Sequence, residues 1–291
     1  ALVDAALRLG FSALELEYRL SDAQYRALAR RISRGEVSAS SVHNPLPRPP
    51  GVSPFRAYEE RARLSSLDPE ERRVALRLAF ETLARAEGVG AAVAVFHLGS
   101  VDLAPELDAR LLGKMIRRGE RSSAAYEDLR ERVAAARKGA APAHRDAVLG
   151  SLDRLAREAE RRGVVVGLEN RVHPEEIPDR ADLELIFREL RGAALAYWHD
   201  AGHASSLILH GFLDSPTVLL EAFREQTAGF HLHDAKGLDD HKAPGEGDLD
   251  FAPLAPFAQK VPRLVLEVQP GGSEGALREA PGLLARLGFP V

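Results

Sequence analysis

Seven short apolar runs recur along this chain, and stretches with helical periodicity separate them. The runs are 12–17 (SALELE), 36–43 (EVSASSVH), 91–97 (AAVAVFH), 163–169 (GVVVGLE), 194–200 (ALAYWHD), 228–233 (AGFHLH) and 262–267 (PRLVLE). Apolar strands alternating with amphipathic helices form parallel sheets, because each crossover helix covers one face of the strands it joins. Helices are expected over 1–9, 22–34, 67–87, 122–137, 143–162, 181–191, 215–226 and 274–287. The strongest periodic segments, LDPEERRVALRLAFETLARAEG and AHRDAVLGSLDRLAREAERRG, each end at a glycine that can cap a helix C-terminus.

Repetition of this unit over nearly all 291 residues favours a closed α/β barrel over an open sheet. The expected fold is a (β/α)8 TIM barrel, as one domain covering 1–291. The chain opens inside a helix, ALVDAALRLG, and offers seven strand-like runs where such a barrel needs eight. The first strand is therefore expected to be missing from the N-terminus; a seven-stranded or distorted barrel is the alternative. Loops at about 44–66 and 98–121 are long for a compact domain and follow His43 and His97. Both are expected over the catalytic face, as lids or as plain surface insertions. The first is proline-rich and carries Phe55.

Composition closes several routes. The chain has no cysteine, so any metal must be held by histidine and carboxylate, and thiolate chemistry is excluded. A net charge of −4 supplies no bulk basic field for nucleic acid or anionic lipid, though a local patch for nucleic acid stays open. No apolar run approaches the ~20 residues of a membrane span and no signal peptide is visible, so a cytoplasmic location is expected and no membrane partner. No interface pattern is legible, and the oligomeric state stays open.

The histidines carry the chemistry. His43, His97, His173, His199, His203, His231, His233 and His241 sit at, or within four residues of, the C-terminal end of a strand-like run. In an α/β barrel those ends converge on one mouth, and imidazole together with carboxylate is what a divalent cation needs. Glu169 and Glu267 close two strongly apolar runs. A single such Glu is explained by a strand reaching water, but two of them joined by Asp200 and His231 on other strands are not. In HDAGH, strand alternation turns Asp200 away from His199, so His199 reads as structural and Asp200 and His203 as candidate ligands. In HLHD, His231 and His233 share a face; one can bind metal and the other substrate or a carboxylate, with Asp234 as a candidate orienting group. Asp239 and His241 share a face if DDHKAPGEG is extended, and its glycines either approach an anion or form an ordinary turn. His144 and His210 fall on helical stretches and are expected to be solvated.

This ordered series of motifs resembles the xylose isomerase-like barrel superfamily, over residues 1 to 290. That group holds sugar-phosphate isomerases and epimerases as well as endonuclease IV. The resemblance to the isomerase and epimerase branch implies one metal held by Glu169 in GLEN, Asp200 in HDAGH, His231 in HLHD and Glu267 in LVLE, with His203 at the substrate. His233 and Lys236 are the further expected substrate contacts. The resemblance to endonuclease IV implies two more metal positions. One would use His43, His97 and Glu169, the other His203, Asp239 and His241. The chain departs from endonuclease IV after GLEN, and it has His233 where that enzyme has Asn.

The expected function is a divalent-metal-dependent isomerase or epimerase of a small sugar or sugar phosphate. Glu169 and Glu267 would pass a proton through a metal-stabilised enediolate. The alternatives are an abasic-site phosphodiesterase with a trinuclear zinc site, and a metal-binding barrel without turnover. The ion is expected to be zinc or manganese, in one to three copies.

Overall fold

The computed structural model describes residues 2–54, 62–269 and 272–291. Phe55 and the middle of the first long loop lie outside the described residues. Seven strands form one sheet: β1 (Ala13–Leu16), β2 (Ser38–His43), β3 (Val93–Phe96), β4 (Val165–Glu169), β5 (Leu195–Asp200), β6 (Thr227–Leu232) and β7 (Leu264–Leu266). They lie in chain order and every ladder is parallel. The sheet curls into a nearly closed α/β TIM barrel, with seven strands among the described residues. Its two ends approach each other. Arg263 Nε, at the foot of β7, donates to the Ser40 carbonyl of β2 at 3.1 Å.

Among the described residues, ten helices wrap this sheet: α1 (Leu2–Arg8), α2 (Asp22–Ser33), α3 (Pro69–Val89), α4 (Arg110–Arg117), α5 (Ala124–Arg161), α6 (Arg180–Glu189), α7 (Ala201–His210), α8 (Val218–Ala222), α9 (Ala255–Ala258) and α10 (Glu274–Arg286). Local sequence explains their ends. Asp68 accepts the Glu70 N–H at the start of α3, Pro69 opens its first turn, and Gly90 closes it with φ 71°.

Several boundaries differ from the sequence pattern. The stretches 122–137 and 143–162 are one 38-residue helix, α5, with Pro142 inside it. A proline costs a helix one hydrogen bond; here the buried stripe continues across it, with Val133 packed against Leu112 of α4 and its neighbours and Ala141, Val148 and Leu152 in the main core. The span 215–226 breaks into α8 and a 3-10 turn at Arg224–Gln226. The second long loop holds α4, and α7 begins directly after β5. Its first turn, AGH, has too little apolar periodicity to announce a helix.

Strand parity sorts the side chains into two sets. Odd-numbered residues of β3 and β4, with Trp198 and Val265, face the barrel axis, where Val93, Val95 and Trp198 form a compact inner cluster. Their neighbours Ala94, Phe96, Val166, Leu168, Tyr197 and Phe230 face outward into the larger core beneath the helices. The Trp198 ring lies over Gly229 of the next strand, where any Cβ would overlap it.

Gly229→Ala is therefore expected to destabilise the fold by about 1–3 kcal/mol, as overpacked cores do. Urea unfolding followed by fluorescence reads this directly, because Trp198 is the single tryptophan of the chain. An unchanged midpoint would show that the ring can move aside.

Candidate metal centre

The inward parity that places Val95 and Trp198 continues to the C-terminal rim and delivers a set of polar side chains there. His43 ends β2, His97 follows β3, Glu169 ends β4, Asp200 ends β5, His231 lies in β6 with His233 just beyond it, and Glu267 follows β7. Asp200 and His231 are direct register partners. Each of the two Glu residues closes an apolar strand, so the chain delivers charge to the mouth rather than to solvent. Glu169 and Asp200 are fully buried.

One group comprises Glu169, Asp200, His231 and Glu267, each offering a ligand atom within 4.8 Å of the others. His231 Nδ1 stands 2.6 Å from Glu169 Oε1, 3.1 Å from Glu267 Oε2 and 3.7 Å from Asp200 Oδ2. A second group is His43, His97 and Glu169, and a third is His203, His233 and His241. Glu169 belongs to the first two. Its Oε2 lies 2.7 Å from His97 Nε2 and 3.4 Å from His43 Nε2.

Burial alone would raise the Glu169 carboxyl, but the His231 and His97 imidazoles beside it hold it well below the usual carboxylate range. Asp200 behaves alike: burial opposes ionisation, and His203 and His233 overcome it. Burial would lower His231, yet Glu15, Glu267 and Glu169 keep it well above an ordinary imidazole. His241 is pushed up to about 10 against its own burial by Asp240 and Glu267. Protons on the imidazoles thus occupy the place of positive charge among the carboxylates.

Hydrogen bonds show which imidazoles are ready to bind a cation. His43 Nδ1 donates to the Asn44 carbonyl at 2.9 Å, and its Nε2 stands 3.4 Å from the Glu169 carboxylate, to which it donates when it carries a proton. His203 Nδ1 donates to the Asn170 carbonyl at 3.0 Å and leaves Nε2 as an acceptor. This tautomer is the usual one of metal-ligating histidines. His233 is different. Its Nδ1 accepts the His241 backbone N–H at 2.9 Å, so its proton sits on Nε2 and is donated to Asp200 at 2.9 Å. The His233 ring also presses on Gly202, where a Cβ could not fit.

The remaining site candidates fall as follows. His199 faces the outer core, is bonded to the Tyr197 hydroxyl at 2.8 Å, and is lowered to about 4 by burial. Asp239 is largely exposed and ion-paired with Lys242 at 2.6 Å; the structure brings His233, not Asp239, beside His203 and His241. Lys236 is exposed on a hairpin of residues 234–236 and 239–242, in register with Asp239. Asp234 orients neither histidine. It accepts the N–H groups of Gly245 and Leu249, so the anion in that glycine turn is the chain's own carboxylate. His144 and His210 are buried, not solvated: His144 is bonded at Nδ1 to the Ser65 carbonyl, and His210 to that of Ser206.

Three further residues belong to the rim. Glu15 of β1 receives Ser41 Oγ at 2.6 Å and His231 Nε2 at 3.0 Å. Arg171 sets a guanidinium nitrogen 3.3 Å from Glu169 and bonds Glu176 at 2.8 Å. Asn170 stitches β4 to β5, accepting the Asp200 N–H and donating to the Asp200 carbonyl. Glu15 was findable: in SALELE it has the inward parity and alternates with leucines.

The chain belongs to the xylose isomerase-like TIM barrel family, whose model matches residues 3–287. Among solved structures it is similar to a D-tagatose 3-epimerase-like protein, at 18% identity and TM-score 0.67, over 95% of this chain and 88% of that one. It is similar to the TTHB071 protein of Thermus thermophilus in a structure soaked with ZnCl2, at 24% identity and TM-score 0.62, over 97% and 92% of the two chains. It is also similar to the 3-keto-D-glucoside 4-epimerase YcjR of E. coli, at 16% identity and TM-score 0.65, over 98% and 92%. No curated protein sequence matches the chain. Among the described residues no helix is long and apolar enough to cross a membrane.

A cation held by Glu169, Asp200, His231 and Glu267 must displace the proton on His231, because that imidazole is held well above its ordinary value. Zinc binding at neutral pH is thus expected to release protons, and affinity to climb as pH rises above neutrality. Calorimetry in buffers of different ionisation enthalpy counts them. Proton-neutral binding would show that zinc uses other groups.

Proposed function

We propose that this protein is a divalent-metal-dependent isomerase or epimerase of a small sugar or sugar phosphate. The observation that carries this reading is the group of Glu169, Asp200, His231 and Glu267, four ligand atoms within 4.8 Å at the mouth of the barrel. Three carboxylates and one imidazole suit zinc or manganese and leave positions for substrate oxygens. The similar structures named as sugar epimerases support the same reading. A divalent ion at this place supplies Lewis-acid polarisation of a carbonyl and its neighbouring hydroxyl.

The chain's own residues do the rest. Glu169 and Glu267 approach from different sides of the mouth, and both are held ionised by the imidazoles around them. One takes the proton from the carbon next to the carbonyl, and the other returns it on the same or the neighbouring carbon. The carboxylate, not the carboxylic acid, is the form that can begin this. His203 Nε2 points its lone pair to a substrate hydroxyl, with its ring fixed by Asn170. His233 keeps Asp200 oriented, and Lys236 reaches the substrate from the hairpin. Arg171 balances the charge of Glu169 and fixes its rotamer.

A second reading, the abasic-site phosphodiesterase with three zinc ions, is favoured by one observation: His43 Nε2 and His97 Nε2 both face Glu169. The doubly engaged His233 counts against it, since a third ion among His203, His233 and His241 would break its bond to Asp200 or to the His241 N–H.

Glu169→Gln and Glu267→Gln are expected to lower turnover of the epimerised sugar by about 10²–10⁴-fold while the far-UV spectrum stays that of the parent. Solvent deuterium incorporation at the reacting carbon follows the step itself. Full turnover in both variants would remove the proposed bases. Elemental analysis of protein purified without chelator is expected to give one ion per chain; three zinc ions together with cleavage of abasic DNA would turn the assignment to the second reading.

A further inference from the structure

A cavity of about 280 Å³ lies near the metal centre, between α4, the C-terminal half of α7, the segment after β4 and the 234–242 hairpin. At ~30 Å³ per water it has room for roughly nine waters, the size of a phosphate with a few carbons attached. Arg110, Lys114 and Arg117 of α4 line it, at spacings of four and three residues that bring them to one helix face. Arg110 is partly neutralised by Asp108, at 2.9 Å from its Nε. Arg117 donates to the Leu238 carbonyl of the hairpin at 3.3 Å, which holds its guanidinium at the cavity rim. Lys114 and Arg117 enter no ion pair among the described residues. The acidic member of the lining, Asp240, is taken up by His241 Nδ1 at 2.9 Å. The cavity is left with surplus positive charge in a chain whose net charge is −4.

Two imidazoles, those of His210 and His173, line the same cavity, each with one enclosed nitrogen. His210 is 1% exposed, and its Nδ1 donates to the Ser206 carbonyl at 2.8 Å. Its Nε2 therefore carries a lone pair, and it has no partner. Nδ1 of His173, whose ring stands edge-on to that of His210 with centroids 6.2 Å apart, has none either. Gly113 lies in front of His210 Nε2, and a Cβ built there would stand 3.5 Å from it. A buried acceptor left unsatisfied is costly, and a hydroxyl that reached it from the cavity would recover that cost. The cavity neighbours the metal centre along the chain: Ser206 is one turn along α7 from His203, and Asp240 adjoins His241.

We propose that this cavity is an anion subsite, taking the phosphate ester or carboxylate at the far end of a polyol whose carbonyl end lies at Glu169 and Glu267. This rests on the sugar isomerase reading above and narrows it to acidic sugars. Lys114 and Arg117 bind the anion, and the His210 ring forms part of the wall beside it. The helix α4, contributed by the second long loop, is the specificity element.

The test is calorimetry on the zinc-loaded full chain with D-ribulose, D-ribulose 5-phosphate, D-ribonate and inorganic phosphate as probes. The parent is compared with the double variant Lys114→Ala, Arg117→Ala, whose two side chains are exposed on α4. D-Ribulose 5-phosphate is expected to bind about ten-fold more tightly than D-ribulose, from one or two charge-assisted hydrogen bonds. The double variant should erase that margin without changing zinc content or D-ribulose affinity. The same variant-sensitive margin for D-ribonate alone assigns the subsite to carboxylates. No margin for either anion, or one that survives the double variant, overturns the proposal. Should neither sugar bind, phosphate affinity that falls in the double variant keeps the anion subsite and discards the sugar reading. Phosphate binding indifferent to Lys114 and Arg117 discards the subsite.

Discussion

Everything at the mouth of this barrel answers to the burial of Glu169. A carboxylate taken fully out of water costs several kcal/mol unless positive charge or donors surround it. The fold supplies them from four directions: His231 across the axis, His97 and His43 from preceding strands, and Arg171 from the chain that follows. Those partners create the next demand. Glu15, Asp200 and Glu267 crowd the same imidazoles. The result is a dense lattice of carboxylates and imidazoles, the donor chemistry that suits a divalent cation.

The backbone is built to keep this lattice rigid. Asn170 ties the ends of β4 and β5 together, Asp200 caps the first turn of α7 at the His203 N–H, and the His241 N–H fixes the tautomer of His233. They set the ring orientations at the mouth, at distances of 2.7 to 2.9 Å.

Much of this was legible in the chain itself, because strand parity is a strict code. The period of two that hides Phe96 and Leu168 in the outer core also sends His97 and Glu169 inward, so the inner set follows from the apolar pattern. The same code points to Glu15, which goes unnoticed only when attention is confined to strand ends. Parity fails beyond the strands. Asp239 and His241 share a face in an extended segment, yet His241 has a φ of 55° and the two side chains diverge. Asp234 is followed by a turn that folds back on its carboxylate, which no local pattern announces. Buried His144 and His210 look solvated in sequence, because an isolated polar residue on a helix carries no sign of the loop that will cover it.

The contact between Gly202 and His233 joins two stretches of chain some thirty residues apart. Glycine in the first turn of a helix is a poor choice by propensity alone. Here the absent side chain is the cradle for an imidazole delivered by the next strand. Neither position can change by itself: an alanine at 202 evicts the ring, and a smaller residue at 233 leaves a void and frees Asp200 to rotate. The two sites should therefore drift as a pair, so that relatives of this barrel which abandon the second histidine of HLH are the ones in which HDAGH is free to lose its glycine.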